Sequence, residues 1–231
     1  MTAARSAGAV ATAPPPRAAA ATPILFSDRS CPFAHRVLAL LEHLGAPVER
    51  RESPVGEKPD GLERYSWAKR IPLLVHGDLV LTESRVILEH LAEYHGFADA
   101  YPADLAARSL HRHAMAVVDR AIVPVIFGRK QADADDPLLA DTLRALAVAT
   151  ATVAPRPCLL ALHVAPMWQR ARCWQPAGVV VRAVEAHSAL CRWLDAVAEL
   201  DCVMRTAPDR AAHLEDLARA RQAGLLGPSQ G

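Results

Sequence analysis

The sequence predicts a small α/β layer followed by an all-helical remainder, and three observations carry that prediction. Short apolar runs of strand type stand at ILF (Ile24 to Phe26), IPLLV (Ile71 to Val75) and LVLT (Leu79 to Thr82). Between and behind them lie stretches with helical spacing of apolar residues. Beyond Gly96 every strongly patterned stretch has the three-to-four residue period of packed helices.

Taken in order, the helix after the first strand places Phe33, Val37 and Leu41 on one stripe, with Ala34, Leu38 and Leu44 beside it, and Gly45 ends it. PVERRE (Pro47 to Glu52) reads as a weak second strand. EKPDGLERY is polar and broken, enough for about one turn of helix. IPLLV and LVLT form a hairpin around a three-residue loop of His76, Gly77 and Asp78. ESRVILEHLAEYHG then carries Val86, Ile87, Leu91 and Tyr94 at helical spacing and stops at Gly96. The resulting order is strand, helix, strand, short helix, hairpin, helix.

GFADAYPAD (Gly96 to Asp104) has the small and breaker residues of a linker. In the helical remainder, Pro124 is expected to kink the first helix, and Pro137 behind Asp135 and Asp136 marks the start of another. The domain division expected is a tail at 1–22, an α/β domain at 23–95, a linker at 96–104 and a helical domain at 105–231. The tail is mostly Ala, with Pro, Thr, Arg and Ser, and has no acidic residue. It lacks the apolar surface that offsets ordering and is expected to be disordered. Its composition touches that of a transit peptide, but the run Pro14 to Pro16 breaks the amphipathic helix such a peptide uses.

Composition narrows the function classes. With 26 basic against 25 acidic side chains, there is no excess charge to draw the chain to nucleic acid or an anionic membrane, and neither partner is expected. Charges interrupt the apolar runs well before the roughly 20 residues of a membrane helix. The five cysteines, Cys31, Cys158, Cys173, Cys191 and Cys202, form no CxxC pair and suit a reducing compartment, so a cytoplasmic location is expected. His187 and Cys191 stand at i, i+4, but no second pair completes the four ligands of a structural zinc, and no metal is expected.

The chemistry concentrates at Cys31. Pro32 suits the first helical position because its missing N–H is not needed there, and this makes Cys31 the N-cap. Free backbone N–H groups and the positive end of the helix dipole then surround the sulfur, a setting that stabilises thiolate and lowers the thiol pKa. Read alone, the same cysteine is equally one that packs between strand and helix. His35 and Arg36 follow in the first turns and are expected to face solvent.

SCPFAHRV resembles the active-site motif of the glutathione transferase superfamily, in particular the cysteine-containing branches of omega, lambda and glutathionyl-hydroquinone reductase type. Lys58-Pro59, the stretch IPLLVHGDLVLTES (Ile71 to Ser84) and the helical second half follow in the order of that family. The resemblance implies a thioredoxin-like first domain, a cis Ile71-Pro72 bond, and pairing of the Ile71 backbone with the cysteinyl part of glutathione. It also implies that Glu83 and Ser84 receive the γ-glutamyl end at a helix start, where alone they would read as capping residues. Lys58 corresponds to a lysine at the glycine end of the tripeptide; alone it would read as a solvated charge.

Cysteine at position 31 implies a glutathione-dependent thiol transferase or reductase working through a mixed disulfide, with glutathione as co-substrate and a disulfide, glutathionylated or electrophilic second substrate. Ala34 leaves no resolving cysteine, so the monothiol route is implied. Conjugation, isomerisation or dehalogenation on the same fold, and a non-catalytic binding role, are the alternatives. The family further implies a homodimer and a second-substrate pocket in the helical domain, with His111, Met115 and Trp168 as its candidate lining. In one respect the chain departs from the family: where relatives open the buried helix of the second domain with Ser/Thr-x-x-Asp, this sequence offers Cys158 and Ala161.

Overall fold

The computed structural model describes residues 22–28, 30–54, 57–65, 70–133, 135–151, 153–174, 177–208, 210–222 and 224. Most of the N-terminal tail, and the question of its order, lies outside them. The chain opens with β1 (Ile24–Asp28), α1 (Pro32–Leu44) and β2 (Glu49–Ser53), then a 3-10 turn over Leu62–Arg64, the hairpin β3 (Leu73–His76) and β4 (Leu79–Leu81), and α2 (Ser84–Tyr94). The sheet order is β2-β1-β3-β4, with β1 and β2 parallel and the other pairs antiparallel. His76 pairs with Leu79, so the hairpin loop is the two residues Gly77 and Asp78 rather than three. Gly77 supplies the positive φ of 61° that so tight a connection needs.

The helical part follows as α3 (Leu105–Val117), α4 (Val123–Ile126), α5 (Pro137–Thr150), α6 (Leu159–Cys173), α7 (Gly178–Glu185), α8 (Ser188–Ala198), α9 (Asp201–Thr206) and α10 (Arg210–Gln222). The irregularity expected at Pro124 is a π-helical stretch, Val118–Ile122, between α3 and α4. Pro124 has no N–H to offer the preceding turn, and the wider π turn takes up the missing bond just before it. Pro137 starts α5 as expected, with the Asp136 carboxylate accepting from the N–H groups of Leu138 and Leu139 at 2.9 and 3.2 Å.

The sheet's alternation sends Leu25 and Leu74 to one face and Phe26, Leu73 and Val75 to the other. The first face continues through α1 and α2 into a core shared with α6, while the second is a small cluster closed by Leu62. Sandwiched in this way, α1 is buried on more than one stripe, from Pro32 and Ala34 through Leu41. His35 and Arg36 are buried with it, against the expectation that they face solvent. In α2 the buried residues are Ser84, Ile87, Leu88, Leu91 and Ala92, and Val86 faces outward. No helix among the described residues is long and apolar enough to cross a membrane.

Candidate active site

The topology collects the predicted residues at one end of the sheet. β1 runs toward Cys31, and its parallel neighbour β2 ends beside it, with Ser53 opposite Asp28. β3 begins opposite Phe26, so Ile71-Pro72 lies at that same end, and the bond is cis. β4 runs back to the end where β3 starts, which delivers Glu83 and Ser84 there as well. Lys58 follows β2 and is exposed in the loop beyond it. Glu83, at φ 66° and ψ 105°, is the one non-glycine residue with positive φ among the described residues, and it directly precedes the first turn of α2. Such strain persists where the surrounding structure fixes it, and it concentrates at functional sites.

Cys31 is the N-cap of α1 with extended backbone (φ −74°, ψ 110°), Pro32 behind it, and no side-chain cap hydrogen bond. Its N–H donates to Asp28 O at 3.0 Å. The Asp28 carboxylate accepts from both the N–H and the hydroxyl of Ser30, at 2.7 and 2.8 Å, which fixes the turn that presents the sulfur. The thiol pKa departs from the sequence expectation. Burial is the dominant influence and pushes it up, with Asp28 adding to the rise; the N–H groups of Ala34 and Phe33 and the Arg170 guanidinium pull the other way. The helix start favours thiolate as expected, but desolvation outweighs it.

Arg36, with 1% of its side chain exposed, is fully engaged across the two halves of the molecule. Its Nε donates to His163 O at 2.7 Å, Nη1 to the Ser84 hydroxyl at 3.1 Å, and Nη2 to Asp119 Oδ1 at 3.0 Å. The π turn carries Asp119, whose Oδ1 also lies 3.0 Å from His163 Nε2. Burial opposes ionisation of Asp119, yet contacts from His163 and Arg36 hold its pKa down to about 2. Burial and Arg36 lower His163 to about 4, so its imidazole is neutral at pH 7. Ser84 accepts from Arg36 and retains its hydroxyl hydrogen to donate to a ligand.

On the other side of Cys31, the rings of Phe33 and Phe127 stack at 5.5 Å with 13° between planes. Arg36 lies over Phe33 at 5.0 Å and Arg170 over Phe127 at 5.1 Å, so two guanidinium groups flank the aromatic pair. His163, Met167 and Arg170 recur at helical spacing on α6, and both His163 and Arg170 reach residues of the Cys31 end.

The second-substrate lining predicted from sequence is corrected by this geometry. His111 and Met115 are completely buried on the stripe of α3 that packs into the helical core. Trp168 stands about 200° around α6 from Arg170 and therefore faces away from Cys31. It borders a small apolar cavity with Ile122, Ile126, Val164 and Leu194, and its indole N–H donates to Asp195 at 2.8 Å. His113, by contrast with His111, is exposed. No group of three or more His, Cys, Asp or Glu among the described residues has metal-binding geometry. Sequence reading also passed over Asp119, His163 and Arg170. The one available signal was an arginine embedded in the apolar run FAHRVLALL, which demands a buried counter-charge if that helix is covered on both sides.

The departure at the buried helix resolves simply. Cys158 is the N-cap of α6, and its sulfur accepts from the Ala161 N–H at 3.5 Å, in the place of a hydroxyl oxygen.

Comparison with known proteins agrees with this arrangement. Residues 25–98 match the family described as "Glutathione S-transferase, N-terminal domain". Over 208 residues the chain is 26% identical to glutathione S-transferase U2 of Arabidopsis thaliana, spanning 80% of this chain and 87% of that protein. Glutathione transferase Omega 1C of Trametes versicolor shares the fold with a TM-score of 0.72 at 18% identity, over 90% of this chain and 99% of that one. The rice enzyme OsGSTU1, solved in complex with glutathione, shares it with a TM-score of 0.63 at 20% identity, over 87% of this chain and 99% of that one.

Proposed function

We propose, because the chain belongs to the glutathione S-transferase superfamily, that it is a glutathione-dependent thiol transferase or reductase whose reacting atom is the Cys31 sulfur. The observation that carries this reading is a cysteine at the start of α1 whose sulfur makes no cap hydrogen bond, at the sheet end that also holds cis Pro72, Glu83 and Ser84. Glutathione is bound along Ile71, whose N–H and C=O pair with its cysteinyl part as an added strand would. Ser84 and Glu83 take the γ-glutamyl carboxylate and ammonium, and Lys58 takes the glycine carboxylate. The glutathione-binding domain is 23–95 and the helical domain begins at 105.

In the reaction, the Cys31 thiolate attacks the glutathionyl sulfur of a mixed disulfide, forms Cys31–S–SG and releases the substrate thiolate, which takes a proton. A second glutathione thiolate attacks the glutathionyl sulfur of that adduct, giving oxidised glutathione and restoring Cys31. The substrate disulfide is reduced and glutathione oxidised. Ala34 occupies the position of a resolving cysteine, so the external thiol completes the cycle. We place the protein in a reducing cytoplasm, where its five free cysteines persist. It works as a homodimer, a reading supported by exposed Leu79, Val80 and Val86 on the hairpin and α2.

Reduction of bis(2-hydroxyethyl) disulfide by glutathione tests the reading. Turnover that falls at least about a hundredfold in Cys31→Ser is expected; turnover that survives the substitution rejects it. One observation favours a second reading, conjugation of glutathione to an electrophile: burial keeps Cys31 in the thiol form, which can donate a hydrogen bond to a glutathione thiolate. Conjugation of an aryl halide retained or raised in Cys31→Ser would select it.

A further inference from the structure

At the end of the sheet away from Cys31, β3 and α2 bring two imidazoles together. Leu74 packs on the helix-covered face of the sheet, and strand alternation puts His76, two residues on, over the same face. On α2, Val86, His90 and Tyr94 recur every four residues and share one stripe. The two elements meet with His76 Nδ1 3.0 Å from His90 Nε2, the rings 5.3 Å apart and 75° between planes. Tyr94 walls the pair, its ring 4.4 Å from His76 at 83° and 6.2 Å from His90 at 23°. Both imidazoles are half-buried. Ile71, five residues back along the chain, lies about 16 Å away if the strand is extended.

Two neutral imidazoles facing each other in this way hold one hydrogen between them, one nitrogen donating and the other accepting. A metal ion takes that place when the donor ring carries its hydrogen on its other nitrogen, so that both facing nitrogens offer lone pairs. At a metal–nitrogen distance of about 2.0–2.1 Å, nitrogens 3.0 Å apart subtend roughly 90° at the ion, the angle between neighbouring positions of a square-planar or octahedral shell. We propose that His76 and His90 form a chelating site for a divalent transition ion of the nickel and copper type, with water in the remaining positions. Imidazole nitrogen suits these ions, whereas Mg²⁺ and Ca²⁺ take oxygen. Burial and the neighbouring His76 lower His90, so its ring is neutral at pH 7, the form that ligates. The ion joins the last residue of β3 to the second half of α2. Both ligands belong to one chain, and the site is independent of the reading of Cys31.

The test is calorimetric titration of the untagged protein with Ni²⁺ at neutral pH, in wild type, His76→Gln, His90→Gln, His113→Gln and Cys31→Ser. Wild type is expected to bind one Ni²⁺ per chain. Binding should be at least about tenfold weaker in His76→Gln and in His90→Gln, and unchanged in His113→Gln, whose imidazole stands exposed on α3. Cys31→Ser should bind as wild type does, and Mg²⁺ should give no binding heat. Ni²⁺ should also raise the melting temperature of wild type and of Cys31→Ser, but not of the two site variants. Absence of Ni²⁺ binding in wild type overturns the proposal. So does binding that His76→Gln or His90→Gln leaves intact, that Cys31→Ser removes, or that Mg²⁺ matches. Circular dichroism establishes that each variant folds; where one of the two site variants does not, the other decides.

Discussion

Cys31 and Cys158 occupy the same position on two different helices, and the contrast between them shows what converts a capping residue into a reactive one. Both are N-caps of long buried helices, α1 and α6, and burial raises both thiols. Cys158 uses its sulfur locally, accepting the Ala161 N–H, as a Ser or Thr would. Cys31 makes no such bond; Pro32 and the Asp28 turn define its helix start, and Arg36 and Arg170 stand within electrostatic reach. A helix start alone therefore does not make a cysteine reactive. What differs is that the helix start at Cys31 is fixed without a cap bond to the sulfur, and that the arginines near it are buried, whereas Arg156 beside Cys158 is exposed.

The sharpest way to break this comparison is to exchange the two sulfurs for oxygen. Cys31→Ser is expected to lose disulfide reduction by at least about a hundredfold, while Cys158→Ser stays within about twofold of wild type because a hydroxyl caps α6 equally well. Next in size is Asp119→Asn, which leaves Arg36 buried without its counter-charge. Unfolding in urea should show a loss of about 3 kcal/mol, and Arg36→Met combined with Asp119→Leu should regain part of it.

A third effect concerns pH. Burial lowers His35 and His163 to about 4 in the folded chain. Unfolding releases them to about 6.5, so below that value the unfolded chain binds more protons and stability falls as pH drops from about 6.5 toward 4. The melting temperature should therefore be markedly lower at pH 4.5 than at pH 7. Replacing His35 with Asn should flatten that slope. Smallest is Cys158→Ala, which removes the cap of α6 and should lower stability by about 1 kcal/mol while leaving Cys31 chemistry unchanged.

The α/β layer was legible because its apolar runs and breakers follow local rules: ILF, the Gly45 stop, the hairpin around Gly77 and the Pro137 start each have a nearby cause. The misses share a different origin. Helical periodicity assigns a polar residue to solvent when a helix has one covered face, but α1 is covered by α6 and α9 as well as by the sheet side, and this turned Arg36 toward α6 and His35 toward Val203 of α9. His111 was misplaced for the related reason that the stripe of α3 on which it stands is buried. Asp119, His163 and Arg170 become meaningful only once the π turn after α3, α6 and α1 meet, a tertiary fact that no local pattern encodes. Trp168 was the reverse case: an aromatic that suggests a ligand wall from sequence and fills the interior instead.

The central claim, that Cys31 and not its counterpart at the start of α6 is the reacting sulfur, is tested most directly by peptide mass spectrometry after treatment with oxidised glutathione. The account predicts a glutathione adduct on the Cys31 peptide, none on the Cys158 peptide, and removal of the adduct by reduced glutathione. An unmodified Cys31, or an adduct confined to the other cysteines, would contradict it.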